Sequence, residues 1–206
     1  MARRVISHGA FLSIESAAQD AGYRCIAGLD EAGRGPLAGP VVAAAVVLPA
    51  HRHIVGLRDS KCLTARQRDV VYECIQQQAV AYGIGMISHT QIDQRNILWA
   101  TQEAMLGALR QLAGVPDMLL IDGITALPTT LAQRLIIRGD VCCASIAAAS
   151  VLAKVTRDRL MMAYARDYPA YGFEKHKGYP TAEHYARLRT YGPCAIHRRS
   201  FRGVVP

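Results

Sequence analysis

Three apolar runs in this chain each lead into a carboxylate, and few sequence features constrain a fold as tightly. Cys25-Ile26-Ala27-Gly28-Leu29 runs into Asp30-Glu31, Met118-Leu119-Leu120-Ile121 into Asp122, and Leu135-Ile136-Ile137-Arg138-Gly139 into Asp140. Short apolar runs of this kind read as buried strands. A carboxylate at a strand end loses hydration, and beside other carboxylates it meets like charge, so four acids at one sheet edge need a cation to offset the repulsion. Oxygen donors suit hard divalent ions. Singly, each acid has a simpler explanation: Asp30-Glu31 a solvated turn, Asp122 before Gly123 a turn residue, Asp140 after Gly139 a helix cap. Three strand ends together favour a metal site. Neighbouring side chains on a strand face opposite ways, so Asp30 and Glu31 share that site only if the strand ends or bends there. The glycines of Gly33-Arg34-Gly35 permit the bend and let backbone amides face a ligand closely.

Charge supplies the second constraint. Lys and Arg number 24 against 16 Asp and Glu, a formal charge of +8, which favours a polyanionic partner around the acidic centre. That pairing suits a metal-dependent nuclease. Six cysteines without paired CxxC spacing read as reduced residues of a cytoplasmic protein. Arg3-Arg4 is followed by Ser7, His8 and Gly9, which break any signal-peptide core. The longest apolar run, Val41 to Leu48, is closed by Pro40 and Pro49 and is far short of the roughly 20 residues of a membrane helix. No membrane association is expected.

The order of elements predicts an α/β fold with a mixed central β-sheet flanked by helices. Cys25 to Asp30, Val41 to Leu48 and Tyr82 to Ile87 read as an antiparallel meander, with further strands at Met118 to Asp122 and Gln133 to Ile137. Thr64-Ala65-Arg66-Gln67 is a capping box opening a helix with Val70, Val71, Cys74 and Ile75 inward. Thr90-Gln91-Ile92-Asp93 opens a second, in which Leu98, Thr101, Met105, Ala108 and Leu112 recur at helical spacing. Ser145 to Tyr168 reads as one long helix whose small residues Ala147 to Ser150 let it lie close to the sheet. Thr181 caps a short helix ended by Gly192-Pro193. The expected division is an N-terminal extension, residues 1–24, and one domain, 25–206, that closes in a short C-terminal helical segment.

Other chemistries are weaker. GxSxG, HExxH and P-loop patterns are missing from the sequence. Cys142-Cys143 reads as core rather than as a thiol nucleophile. His176, His184 and His197 with Lys154 and Lys177 leave open a metal-independent ribonuclease that uses the substrate 2′-hydroxyl.

The run from Gly28-Leu29-Asp30-Glu31-Ala32-Gly33-Arg34-Gly35-Pro36 to Ala45 resembles the signature of ribonuclease HII, the bacterial type 2 ribonuclease H. The likeness continues through Asp59-Ser60-Lys61, Ile121-Asp122-Gly123, Arg138-Gly139-Asp140, Ala148 to Arg159, His176 to Thr181 and Ile196 to Phe201. It implies a ribonuclease H-like fold and endonucleolytic cleavage of RNA in RNA–DNA hybrids, including single ribonucleotides embedded in duplex DNA, by a monomer. The family's four acids fall on Asp30, Glu31, Asp122 and Asp140, which in the family hold two Mg²⁺ or Mn²⁺ ions, with Asp30 bridging. Products then carry 3′-hydroxyl and 5′-phosphate ends. The resemblance further implies that Gly33, Arg34 and Gly35 read the 2′-hydroxyl through backbone amides and that Tyr179 stacks on the neighbouring deoxyribose. Lys61, Lys154, Lys177 and Arg198 become candidate phosphate contacts. A catalytically silent hybrid-binding module is the alternative from another class.

Departures from the family pattern are small. Cys142 and Cys143 follow Asp140, and Ala195 stands where relatives often carry Pro. The stretch after Phe201 is shorter than the helical tail of some relatives. The 24 residues before the first motif are too few for the additional N-terminal domain of ribonuclease HIII.

Overall fold

The computed structural model describes residues 13–50, 54, 56–57 and 63–204. The Asp59-Ser60-Lys61 motif lies outside them, so Lys61 has no structural account.

Five strands make a mixed sheet in the order β3-β2-β1-β4-β5: β1 Ile26–Ala32, β2 Val41–Val47, β3 Ala81–Ile87, β4 Met118–Asp122 and β5 Ala132–Ile136. The first three form the expected antiparallel meander, while β4 and β5 run parallel to β1. Alternation along β2 assigns its two faces. Val41, Ala43 and Ala45 pack with Ile92, Ala104 and Ala108, whereas Val42, Ala44 and Val46 pack with Val71, Ile75, Ala148 and Leu152. Burial on both faces explains why β2 is unbroken Val and Ala.

The helices are α1 Ser13–Asp20, α2 Ala65–Gln78, α3 His89–Arg95, α4 Ile97–Leu109, α5 Gly139–Cys142, α6 Ala144–Asp167, α7 Phe173–His176 and α8 Ala182–Tyr191. Thr64 forms the expected capping box with Gln67, and Thr181 caps α8 by accepting the His184 N–H. Of the four residues expected inward on α2, Val71 and Ile75 are buried and Cys74 is partly so, but Val70 is exposed. The second predicted helix is corrected. Its cap is Ser88, boxed with Gln91, and it is two helices, because Asn96 adopts a φ of 105° and caps α4 anew through the Trp99 N–H.

The long helix α6 passes under β1 at close range. A Cβ on Gly28 would collide with the Ser145 and Ile146 backbone, so only glycine lets the helix approach. Its N-terminus lacks a side-chain cap of its own. Glu15 of α1 supplies one: its Oε1 accepts the Ser145 N–H at 2.8 Å and the Ser145 hydroxyl at 2.9 Å. Residues 13–24, the described part of the extension, are therefore anchored, and Ala18 packs with Ile26, Leu120 and Ile146. Glu15→Ala is expected to cost about 1 kcal/mol, lowering the melting temperature by about 2–4 °C in a calorimetric scan.

Candidate active site

Register brings the first acids together. The parallel pairing of β1 with β4 ends at Leu29 opposite Ile121, which sets Asp30 and Asp122 side by side one residue further on. β1 does not stop at Asp30, as expected, but stays laddered with Asp30 opposite Ala44 and Glu31 opposite Ala43. The bend comes at Gly33, with a φ of 99°. A cleft of about 330 Å³ opens there, lined by Asp30, Glu31 and Asp122, by Gly33, Arg34 and Gly35, by Ser150 and Lys154 of α6, and by Arg68 and Tyr179.

The third strand-end reading is corrected. β5 is an edge strand with Leu135 38% and Ile137 73% exposed, so this apolar run is not a buried strand. Arg138 then turns left-handed at a φ of 58°, and Asp140 sits in the first turn of α5. Asp140 is nonetheless buried, and the N–H of the preceding Gly139 donates to Asp122 Oδ1 at 2.7 Å. That bond ties the α5 turn to the end of β4.

The electrostatics carry the signature of a cation site. Burial pushes the Asp30 carboxyl well above the ordinary aspartate range, and the charges of Glu31 and Asp122 push it the same way. A Ser150 hydrogen bond and the Glu31 N–H, which donates to Asp30 Oδ1 at 2.7 Å, oppose the shift. Glu31 is also raised, first by burial, with Arg34 at 3.4 Å opposing. A divalent ion fits this donor set in hardness and in charge, since it offsets the burial and the repulsion that raise both carboxyls. Among the described residues no three such side chains are already drawn into a ligating cluster. Ionised carboxylates sharing a cleft repel, and a bound cation would be what closes them.

The remaining candidates divide. Tyr179 stands at the cleft, 40% exposed, and Lys154 Nζ lies 6.0 Å from its ring centroid. Lys154 is also paired with Asp158 at 2.7 Å. Lys177 does not line the cleft, and its ammonium donates to the Glu174 carbonyl. Arg198 is corrected outright. It is fully buried and donates to the carbonyls of Gly39, Arg34 and Gly33 at 2.9, 3.0 and 2.6 Å, which leaves no face for a phosphate.

The histidine alternative loses its geometry. His184 and His197 are buried, joined Nε2 to Nε2 at 3.0 Å and packed on Phe173. Burial, then His184, pushes His197 down to about 4. Neither lines the cleft. The thiol alternative fares no better: burial, then Glu15, raises Cys143 well above the ordinary thiol range. Sequence reasoning passed over Ser150 and Arg68. Ser150 was legible only as a small packing residue, and Arg68 only as one charge on a helix.

A family model described as Ribonuclease HII matches residues 27–204. The chain belongs to the ribonuclease HII family. Ribonuclease HII of Geobacter sulfurreducens is 55% identical over 190 residues, covering 92% of this chain and 88% of that protein. Ribonuclease HII of Bacillus subtilis is 53% identical over 192 residues, covering 93% and 75%. The crystal structure of ribonuclease H2 from Pyrococcus horikoshii superposes with a TM-score of 0.76 at 26% identity, over 88% of this chain and 95% of that one. The ribonuclease HII resemblance in the motifs is thus borne out across the chain, and with it the ribonuclease H-like fold and the assignment as an endoribonuclease. Among the described residues no helix of this ribonuclease HII family member is long and apolar enough to cross a membrane.

Proposed function

We propose that this protein hydrolyses the RNA strand of RNA–DNA hybrids and cuts 5′ of ribonucleotides embedded in duplex DNA, using Asp30, Glu31, Asp122 and Asp140 as the acids that hold two divalent ions, Mg²⁺ or Mn²⁺. The observation that carries this reading is the buried Asp30 in an open cleft beside Glu31 and Asp122, its carboxyl raised by burial and by those two neighbouring carboxylates. Bound ions there would supply activation of the attacking water and stabilisation of charge on the leaving 3′-oxygen. The chain's own residues do the rest. Asp30 and Asp122, side by side on β1 and β4, fix the ligand spacing, and Ser150 orients the Asp30 carboxylate. Gly33, Arg34 and Gly35 present backbone amides to the 2′-hydroxyl, which distinguishes RNA from DNA. Tyr179, across the cleft, stacks on the deoxyribose beyond it. Lys154 contacts phosphate, with Lys61 and Lys177 as further candidates. Residues 25–206 form the catalytic unit, working as a monomer.

The phosphate contact has its own readout. Lys154→Ala is expected to make the log–log salt dependence of duplex affinity shallower by about 0.9. An unchanged slope would assign Lys154 to Asp158 alone. The activity is tested by incubating the protein with an RNA–DNA hybrid in Mg²⁺ or Mn²⁺ and in excess EDTA. Cleavage with metal and none in EDTA is expected. Cleavage surviving EDTA would contradict the metal site, and a hybrid retained but uncut in metal would make the protein a binding module.

A further inference from the structure

Arg157 and Arg198 head the largest fully buried side chains of the described residues, at 1% and 0% exposure. Each spends its guanidinium fork on backbone carbonyls. Arg198 holds Gly33, Arg34 and Gly39. Arg157 holds Pro40, Ala38 and Lys177, each at 3.0 Å. Five of these six carbonyls belong to residues 33–40, and the sixth to the segment that carries Tyr179. Burial pulls Arg157 down to about 10 and Arg198, with Arg157 beside it, to about 9. Both guanidiniums stay charged at neutral pH, and the carbonyl hydrogen bonds that offset the cost of burying two cations also do something an apolar side chain would not.

Peptide planarity shows what that is. In a trans peptide the carbonyl of one residue and the N–H of the next point in opposite directions, and the structure holds no cis bond among its described residues. Drawing the Gly33 and Arg34 carbonyls inward onto Arg198 therefore turns the Arg34 and Gly35 N–H groups outward, to the side where these residues line the cleft. A cation on the carbonyl also polarises the N–H of the same peptide unit and makes it a stronger donor. Arg157 joins the loop to the Tyr179 segment, and the Leu37 N–H donating to the Gly178 carbonyl at 2.8 Å runs in parallel. We infer that Arg198 and Arg157 are positioning residues for ribose recognition: they aim the Arg34 and Gly35 amides into the cleft and fix that loop against Tyr179. This rests on the reading that Gly33-Arg34-Gly35 recognises the 2′-hydroxyl.

The test is a ratio of affinities, which loss of fold alone does not move. Duplex DNA and the same duplex with one ribonucleotide are bound in Ca²⁺, to suppress cleavage, and followed by fluorescence anisotropy. Wild type is expected to prefer the ribonucleotide. Arg198→Lys and Arg157→Lys keep the charge but lose the planar fork, so their preference is expected to fall by about tenfold while all-DNA affinity stays within about twofold. A folded Lys variant that keeps the preference, or that loses both affinities equally, would overturn the inference. Should both variants unfold, exchange of the Nε–H groups is measured in the ¹⁵N-labelled wild type. Slow exchange at Arg157 and Arg198 supports their bonding to the loop, and exchange as fast as at exposed arginines overturns it. A wild type without any preference would overturn the reading of Gly33-Arg34-Gly35, and this inference with it.

Discussion

Asp30→Asn is expected to lose about 10³-fold in turnover, equivalent to about 4 kcal/mol of transition-state stabilisation, while the folded protein becomes more stable. The two effects share one cause. Asp30 sits buried between Glu31 and Asp122, and burial first, then those charges, raises its carboxyl well above the ordinary 3.8. A raised acid favours the folded state while protonated, so without metal the stability falls as pH climbs from that ordinary value through the raised one. The amide carries no charge to repel. At neutral pH without metal, the variant is expected to gain about 1 kcal/mol, or about 2–4 °C in melting temperature. Its stability should also decline less with pH. Thermal scans from acid to neutral pH, with and without Mg²⁺, check this together with cleavage rates. A variant that cuts as fast as wild type would contradict the metal-site assignment, and one that melts lower at neutral pH would contradict the electrostatic account.

Gly33→Ala and Gly35→Ala are expected to fail in different ways although two residues apart. At Gly33 the backbone is left-handed, and a Cβ would meet the Arg157 side chain and lie 2.8 Å from the Pro40 carbonyl. Strain and collision together are expected to cost about 2–4 kcal/mol of stability. At Gly35 the nearest neighbour of a new Cβ is Tyr179 Cε1 at 3.9 Å, an ordinary contact. Stability there should change by less than about 0.5 kcal/mol. The added methyl instead stands in the cleft beside the amide proposed to meet the ribose, so cleavage is expected to fall by about 10²-fold with metal affinity kept. Rates on a single-ribonucleotide duplex, melting temperatures and calorimetric metal binding separate the two. Lost metal binding in Gly35→Ala would make the loop a support of the acids rather than a reader of the sugar.

What could be read without a structure followed from periodicity and charge. The β1-β2-β3 meander, the long α6 and the Thr64 and Thr181 caps each rest on local signals, and all appear. Asp30 and Asp122 were legible as site acids because both follow strongly apolar strands. Asp140 is less legible, since the run before it is half exposed and the turn at Arg138 carries no local signal in an ordinary Arg. The role of Arg198 is hidden in the sequence for the same kind of reason. A basic residue in a basic, aromatic segment reads as a surface charge, and only tertiary packing shows its fork wrapped by carbonyls from residues 33–39. Glu15 likewise gave no sign in the sequence that it caps a helix beginning at Ala144.

Metal held by Asp30, Glu31, Asp122 and Asp140, with Gly33-Arg34-Gly35 guiding the substrate, is proposed to direct cleavage to one side of a ribonucleotide. End-mapping on duplex DNA carrying a single ribonucleotide tests it most directly. The expected result is one cut on the 5′ side of the ribonucleotide in Mg²⁺ or Mn²⁺, leaving 3′-hydroxyl and 5′-phosphate ends. A cut on the 3′ side that leaves a 2′,3′-cyclic phosphate and persists in EDTA would contradict it, because the substrate's own 2′-hydroxyl would then be the nucleophile.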